Sequence, residues 1–174
     1  MVNTQVATAA AVLGWAACEW IGKGKPSMLG GASGAIAGLV AITPACAVVG
    51  PAGALVLGFV ASCIAYWAVT SLKASLGYDD SLDVFGIHGV AGIVGALGLA
   101  VLGAEKFGGT GDVTDIGAQF VIQAQSIGIT IVWCGVISFI LFKIIDATMG
   151  LRVSEEDERT GLDSTSHGES AYRS

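Results

Sequence analysis

The sequence predicts an all-α protein: a polytopic membrane helical bundle of five transmembrane helices. Three observations lead there. The chain is 53% hydrophobic and only 13% charged, where a soluble domain carries about 25% charged residues, and its mean hydropathy is +0.74. The charges gather in short loops and in the last part of the chain. Between them run five apolar stretches, four of them close to the ~20 residues that ~30 Å of hydrocarbon requires and the fifth longer. These stretches are continuous rather than alternating, which favours helices over a β-barrel.

The spans are placed at about 4–22, 27–49, 52–72, 84–103 and 116–146. Residues 1–150 then form the transmembrane domain and 151–174 a cytoplasmic C-terminal tail. The loops carry breakers: GKGKPS after the first span, TPACAVVGPAG between the second and third, GYDDSLD before the fourth and EKFGGTGD after it. The fifth stretch is too long to cross upright, so it tilts or projects. Glu19, in CEWIGKGKP beside Trp15 and Trp20, reads as an interfacial residue among aromatic anchors.

Alternating the five spans puts Lys23, Lys25, Lys73, Lys143, Arg152, Arg159 and Arg173 on one side and Lys106 alone on the other. By the positive-inside rule the first side is cytoplasmic. The N-terminus is then outside and the C-terminus inside. MVNTQVATAAAVLGW has no basic stretch like that of a secretory signal, and such a start suggests further spans upstream. The net charge of −6 comes largely from the tail. No basic stripe suits nucleic acid.

The fourth span holds the residue that points to function. In DVFGIHGVAGIVGALG, His88 is the one ionisable side chain between Asp83 and Glu105, with Gly86, Gly89, Gly92, Gly95 and Gly98 at intervals of three. On an α-helical wheel Val84, His88, Gly92 and Gly95 share a face, which is expected to meet another helix or a narrow cavity rather than lipid. A neutral imidazole has one donor and one acceptor nitrogen and can relay a proton; intramembrane ionisable residues are functional by default. The plainer alternative is a hydrogen bond between helices. Asp79, Asp80, Ser81 and Asp83 are placed to cap the helix start and complement its dipole. Cys18, Cys46, Cys63 and Cys134 lie singly in apolar stretches with no metal spacing. Bis-histidine haem needs a second facing histidine, and His167 is in the tail. No metal and no cofactor is expected.

These segments resemble the ammonium transporter family (Amt/Mep/Rh). DDSLDVFGIHGVAGIVGALG is similar to its second histidine motif. EWIGKGKPSMLGGASGAIAGLVAITPACAVVGPAGAL resembles the stretch from its seventh to ninth spans, and GLRVSEEDERTGLDSTSHGESAY its bacterial and archaeal cytoplasmic tail. The resemblance implies the C-terminal part of an eleven-span fold: part of the second inverted repeat plus a long, tilted final helix. It implies transport of ammonium or ammonia through a hydrophobic pore, not an enzyme. His88 would be the second of two pore histidines, Val84 and Ser33 would lie near the pore wall, and Thr43 would help hold discontinuous helix ends. Asp80 and Asp83 would cap nearby.

A trimer in the cell (inner) membrane, a role in nitrogen metabolism, and a PII-type nitrogen signalling protein as cytoplasmic partner are implied too. Composition alone reads the tail as flexible. The resemblance implies instead an ordered regulatory segment that includes Tyr172, with turns at Gly161 and Gly168 and polar partners Asp163, His167 and Glu169. The first histidine and the first repeat are expected on residues outside this sequence, in a longer chain or another polypeptide. The rival readings are a non-conducting membrane regulator and an inactive fragment keeping the tail.

Overall fold

The computed structural model describes residues 1–110 and 113–170; Tyr172 lies outside them. Among the described residues the regular structure is entirely helical. The chain divides into two compact units, Met1–Gly128 and Ile129–Ser174.

In the first unit α1 spans Val2–Lys23, α2 Met28–Ile42, α3 Pro51–Leu76 and α4 Phe85–Leu102. The helix α5, Ile116–Thr148, begins in this unit. All five apolar stretches therefore contain a helix. By length and composition three of them, α3, α4 and α5, are long and apolar enough to cross a membrane. α1 has the length but carries Asn3, Gln5 and Glu19. α2 has 15 residues, about 22 Å at 1.5 Å per residue.

The second predicted span is shorter than expected because of Pro44. Proline has no N–H to extend the ladder, and the backbone after Ile42 tightens into turns. Thr43 N–H donates to Val40 at 3.2 Å, Ala45 to Ile42 at 2.9 Å and Val48 to Ala45 at 2.9 Å. Chain direction resets at Pro51, which opens α3 where a missing N–H costs nothing. The loop is nonetheless core: Ala45 and Val49 are buried, and the Asn3 amide donates to the carbonyls of Cys46 and Val49 at 2.9 and 2.7 Å.

Small side chains set the packing. Ala7, Ala11, Ala37, Ala41, Ala61 and Ala65 are fully buried, so helix backbones come close, as in membrane bundles. A Cβ on Gly58 of α3 would land on the Ala7 carbonyl of α1. The register fixes direction. Gly34 and Gly38 of α2 meet α1 at Trp15 and Ala11, then Ala11 and Ala7, so those helices are antiparallel. Gly86 and Gly98 of α4 meet Val69 and Leu57 of α3, again antiparallel, whereas Gly95 meets Ala41 of α2 and runs parallel to it.

The second unit, Ile129–Ser174, contains the end of α5 and two short helices, α6 (Glu155–Thr160) and α7 (Leu162–Thr165). α5 stops at a left-handed Gly150, whose N–H donates to Ile145 at 3.1 Å. Ser154 caps α6, accepting from the Asp157 N–H at 3.1 Å and donating to its carboxylate at 2.7 Å. The tail thus has local structure that composition alone does not suggest. Gly161 and Gly168 do turn the chain, with φ of +105° and +67°. Asp163 takes part through its backbone carbonyl, which accepts from the Glu169 N–H at 2.8 Å, and the His167 N–H donates to Leu162 at 3.1 Å.

Arg152 grips Glu158 with both arms of its guanidinium, at 2.7 and 2.9 Å. That hydrogen bond holds the Glu158 carboxyl below its ordinary value near 4.5. A depressed carboxylate contributes stability above its unfolded pKa and loses it as pH falls through the folded one. The pair should therefore support α6 at neutral pH and lose that support as pH falls through the lowered carboxyl value. A carbon-13 titration of the Glu158 carboxyl should show a midpoint below the ordinary value, and Arg152→Gln should raise it. An unmoved midpoint would remove the pair from the account of the tail.

Candidate functional site

The site is built where α3 ends and α4 begins. Asp80, in the loop between them, accepts from the N–H groups of Val84 and Phe85 at 2.8 and 2.9 Å. It satisfies two of the donors that a helix start leaves open and puts negative charge at the positive end of the dipole. The expected cap is thus Asp80. Asp83 has a different role: its carboxylate pairs with the Lys73 ammonium of α3 at 2.7 Å, and its backbone is left-handed, with φ of +57°. Lys73 also donates to the Asp80 carbonyl. Ser81 binds Asp79 at 3.4 Å rather than the helix.

His88 lies in a π-helical turn, Phe85–Val90, that opens α4. A second π turn, Ala68–Leu72, lies in α3 directly before Lys73. The two turns pack together, with Gly86 against Val69. The α-helical wheel therefore does not hold through residues 85–90, because i→i+5 bonding adds a residue to the turn. The expected common face of His88, Gly92 and Gly95 divides. Gly95 is buried on the Ala41 carbonyl of α2, whereas a Cβ at Gly92 would meet only a Val40 methyl at 3.7 Å. His88 is exposed beside exposed Val84 and Phe85, and its ring takes part in no hydrogen bond among the described residues.

α2 packs against the π turn that holds His88, and Ser33 of α2 is half-buried. Thr43, past the Ala41 crossing, caps the C-terminal end of α2. Its hydroxyl donates to Leu39 of its own helix at 2.7 Å. The tail residues Gly161, Asp163, His167, Gly168 and Glu169 belong to the second unit.

One residue has a larger role than its sequence position suggests. Glu19 is buried within the protein. Its carboxylate accepts from the Ser27 N–H at 2.7 Å and hydroxyl at 3.0 Å, with Lys23 at 3.6 Å. Ser27 in turn accepts from the Gly30 N–H at 2.9 Å. A carboxylate from α1 thus anchors the start of α2, and Gly30 leaves it room. Trp15 is buried with it, while Trp20 is exposed.

Residues 1–172 match the family model described as Ammonium Transporter Family. The chain belongs to the ammonium transporter family. It is 46% identical over 173 residues to an ammonium transporter of Aquifex aeolicus, covering 99% of this chain and 41% of that protein. It is 42% identical over 175 residues to an ammonium transporter of Bacillus subtilis, covering 99% and 43%. Among solved structures it is similar to Candida albicans Mep2, with a TM-score of 0.78 and 29% identity over 90% of this chain and 36% of that one. It is also similar to a Sensor Amt Protein, with a TM-score of 0.82 and 25% identity over 95% and 40%. The chain spans about two fifths of the length of these relatives. The ammonium transporter family is one of membrane transporters, not enzymes, and the expected all-helical membrane fold is that of its solved members.

Proposed function

We propose that this chain forms part of a path that carries ammonium or ammonia across the cell membrane, with His88 relaying a proton beside it. The observation that carries this reading is the match over 99% of the chain to proteins named ammonium transporters. The chemistry fits. A small cation is costly to dehydrate in an apolar passage, so an ammonium ion that gives up its proton at the entrance crosses as neutral ammonia. The proton then needs its own carrier, and a neutral imidazole both accepts and donates one. Potassium has no proton to give and is excluded. Val84, about one turn before His88 at the start of α4, and Ser33 of α2 would line the passage. Asp80 holds its helix start, and Thr43 belongs to the far end of α2.

The direct test is uptake of labelled methylammonium by membrane vesicles holding the intact transporter that carries these residues. Saturable uptake, competed by ammonium and not by potassium, is the expected outcome. Binding of a PII-type protein without any uptake would favour a non-conducting regulator instead.

The reading includes a topology: N-terminus outside, C-terminus and residues 151–174 cytoplasmic, from the seven-to-one lysine and arginine bias. A cysteine placed at Lys106 should react with an impermeant thiol reagent from outside the cell, and one at Lys73 should not. The opposite pattern would overturn the orientation. A homotrimer, with the tail as the contact for a PII-type partner, completes the proposal.

A further inference from the structure

We infer that Lys73 is a positioning residue for His88: its bond to Asp83 staples together the ends of two π turns and thereby sets where the imidazole points. The inference rests on the transport reading for its functional consequence but not for its geometry. Lys73 directly follows the π turn of α3, and its own N–H closes that turn on the Ala68 carbonyl. Asp83 stands just ahead of the π turn of α4, and its carbonyl accepts from the Ile87 N–H at 2.9 Å. One ion pair of 2.7 Å, with both side chains 29% exposed, joins these two points. The same ammonium also donates to the carbonyl of Asp80, the residue whose carboxylate caps α4.

Three features indicate that this arrangement is held rather than relaxed. A π turn is rarer than the α turn it replaces and is found mostly at functional sites. Two of them meet here, at the contact of Gly86 with Val69. Asp83 adopts a left-handed backbone uncommon outside glycine, and its side chain is the one Lys73 holds. Without the ammonium, the Asp83 backbone is free to leave that conformation and the first turn of α4 to rewind with i→i+4 bonds. Rewinding turns each residue about the helix axis relative to α2 and α3. Gly95, locked on Ala41, stays; His88, within the π turn itself, moves.

The test compares Lys73→Met with Lys73→Arg in the intact transporter in liposomes. Solid-state NMR reads the ring nitrogens of His88 and the carbonyls of Gly86 and Gly89, and uptake reads transport. Lys73→Met should shift the His88 and glycine signals and lower the maximal uptake rate at least tenfold at equal protein. Lys73→Arg should restore both. Wild-type signals in Lys73→Met would overturn the inference whether or not uptake falls. Were Lys73→Met not to accumulate, Asp83→Asn, which keeps the shape and loses the charge, carries the same readings. His88→Ala in the same liposomes separates the two ideas. Undiminished transport there defeats the pore reading, while the NMR shifts still decide the role of Lys73.

Discussion

Replacing His88 with alanine is expected to abolish methylammonium uptake while leaving the protein folded and in the membrane. The ring is exposed and is hydrogen-bonded to no described residue, so its removal leaves no unpaired partner among them. Cavity costs of ~2–5 kcal/mol belong to buried side chains, and His88 is not one. What the substitution removes is a ring with one nitrogen that can donate a hydrogen bond and one that can accept it. Uptake should fall to the level of vesicles without transporter, with membrane abundance unchanged. Full uptake with undiminished preference over potassium would leave the imidazole with a structural role only. Loss of abundance in step with uptake would point the same way.

The second large effect is on stability. Gly95→Ala should destabilise the protein, and Gly92→Ala, one helical turn away, should not. A methyl group at Gly95 lands on the backbone carbonyl of Ala41 and has no rotamer by which to avoid it. Overpacking of this kind costs ~1–3 kcal/mol, and a clash with backbone belongs at the upper end. Alanine's better helix propensity returns about 1 kcal/mol at most. At Gly92 the same methyl group meets only the Val40 methyl at 3.7 Å, an ordinary contact, and the propensity gain is left to act. Unfolding in mixed detergent compares the two. Equal stabilities would mean that α2 and α4 do not cross at Gly95.

The crossing also shows where sequence reasoning reached and where it stopped. The glycines at 86, 89, 92, 95 and 98 announce close helix contact, but not which of them makes it. On an α-helical wheel His88 shares a face with Gly92 and Gly95, and the π turn over Phe85–Val90 breaks that alignment. No sequence pattern marks a π turn, because the extra residue is accommodated by packing between α3 and α4. Glu19 is similar. Beside tryptophans near a helix end it looks interfacial, yet its carboxylate is buried because Ser27 and Gly30 return to it across the first turn of the chain. Asp80 and Asp83 are alike in sequence, and only the position of Lys73 makes one a cap and the other an ion-pair partner.

The sequence by itself determined that the protein is helical and membrane-embedded, where its apolar helices lie, which loops break them, and that one histidine stands inside an apolar helix. Those properties belong to composition over a window of ~20 residues, and hydrophobicity needs no partner to be read. Family membership was legible for a related reason: its motifs are local strings. Only the tertiary structure decided that α2 stops at Ile42, that Gly95 rather than Gly92 bears on α2, that Glu19 is buried, and that Lys73 joins two π turns beside His88. Each of these depends on the register of one helix against another. Register is set by backbones approaching within a few ångströms at residues far apart in the chain, a quantity that no local window contains.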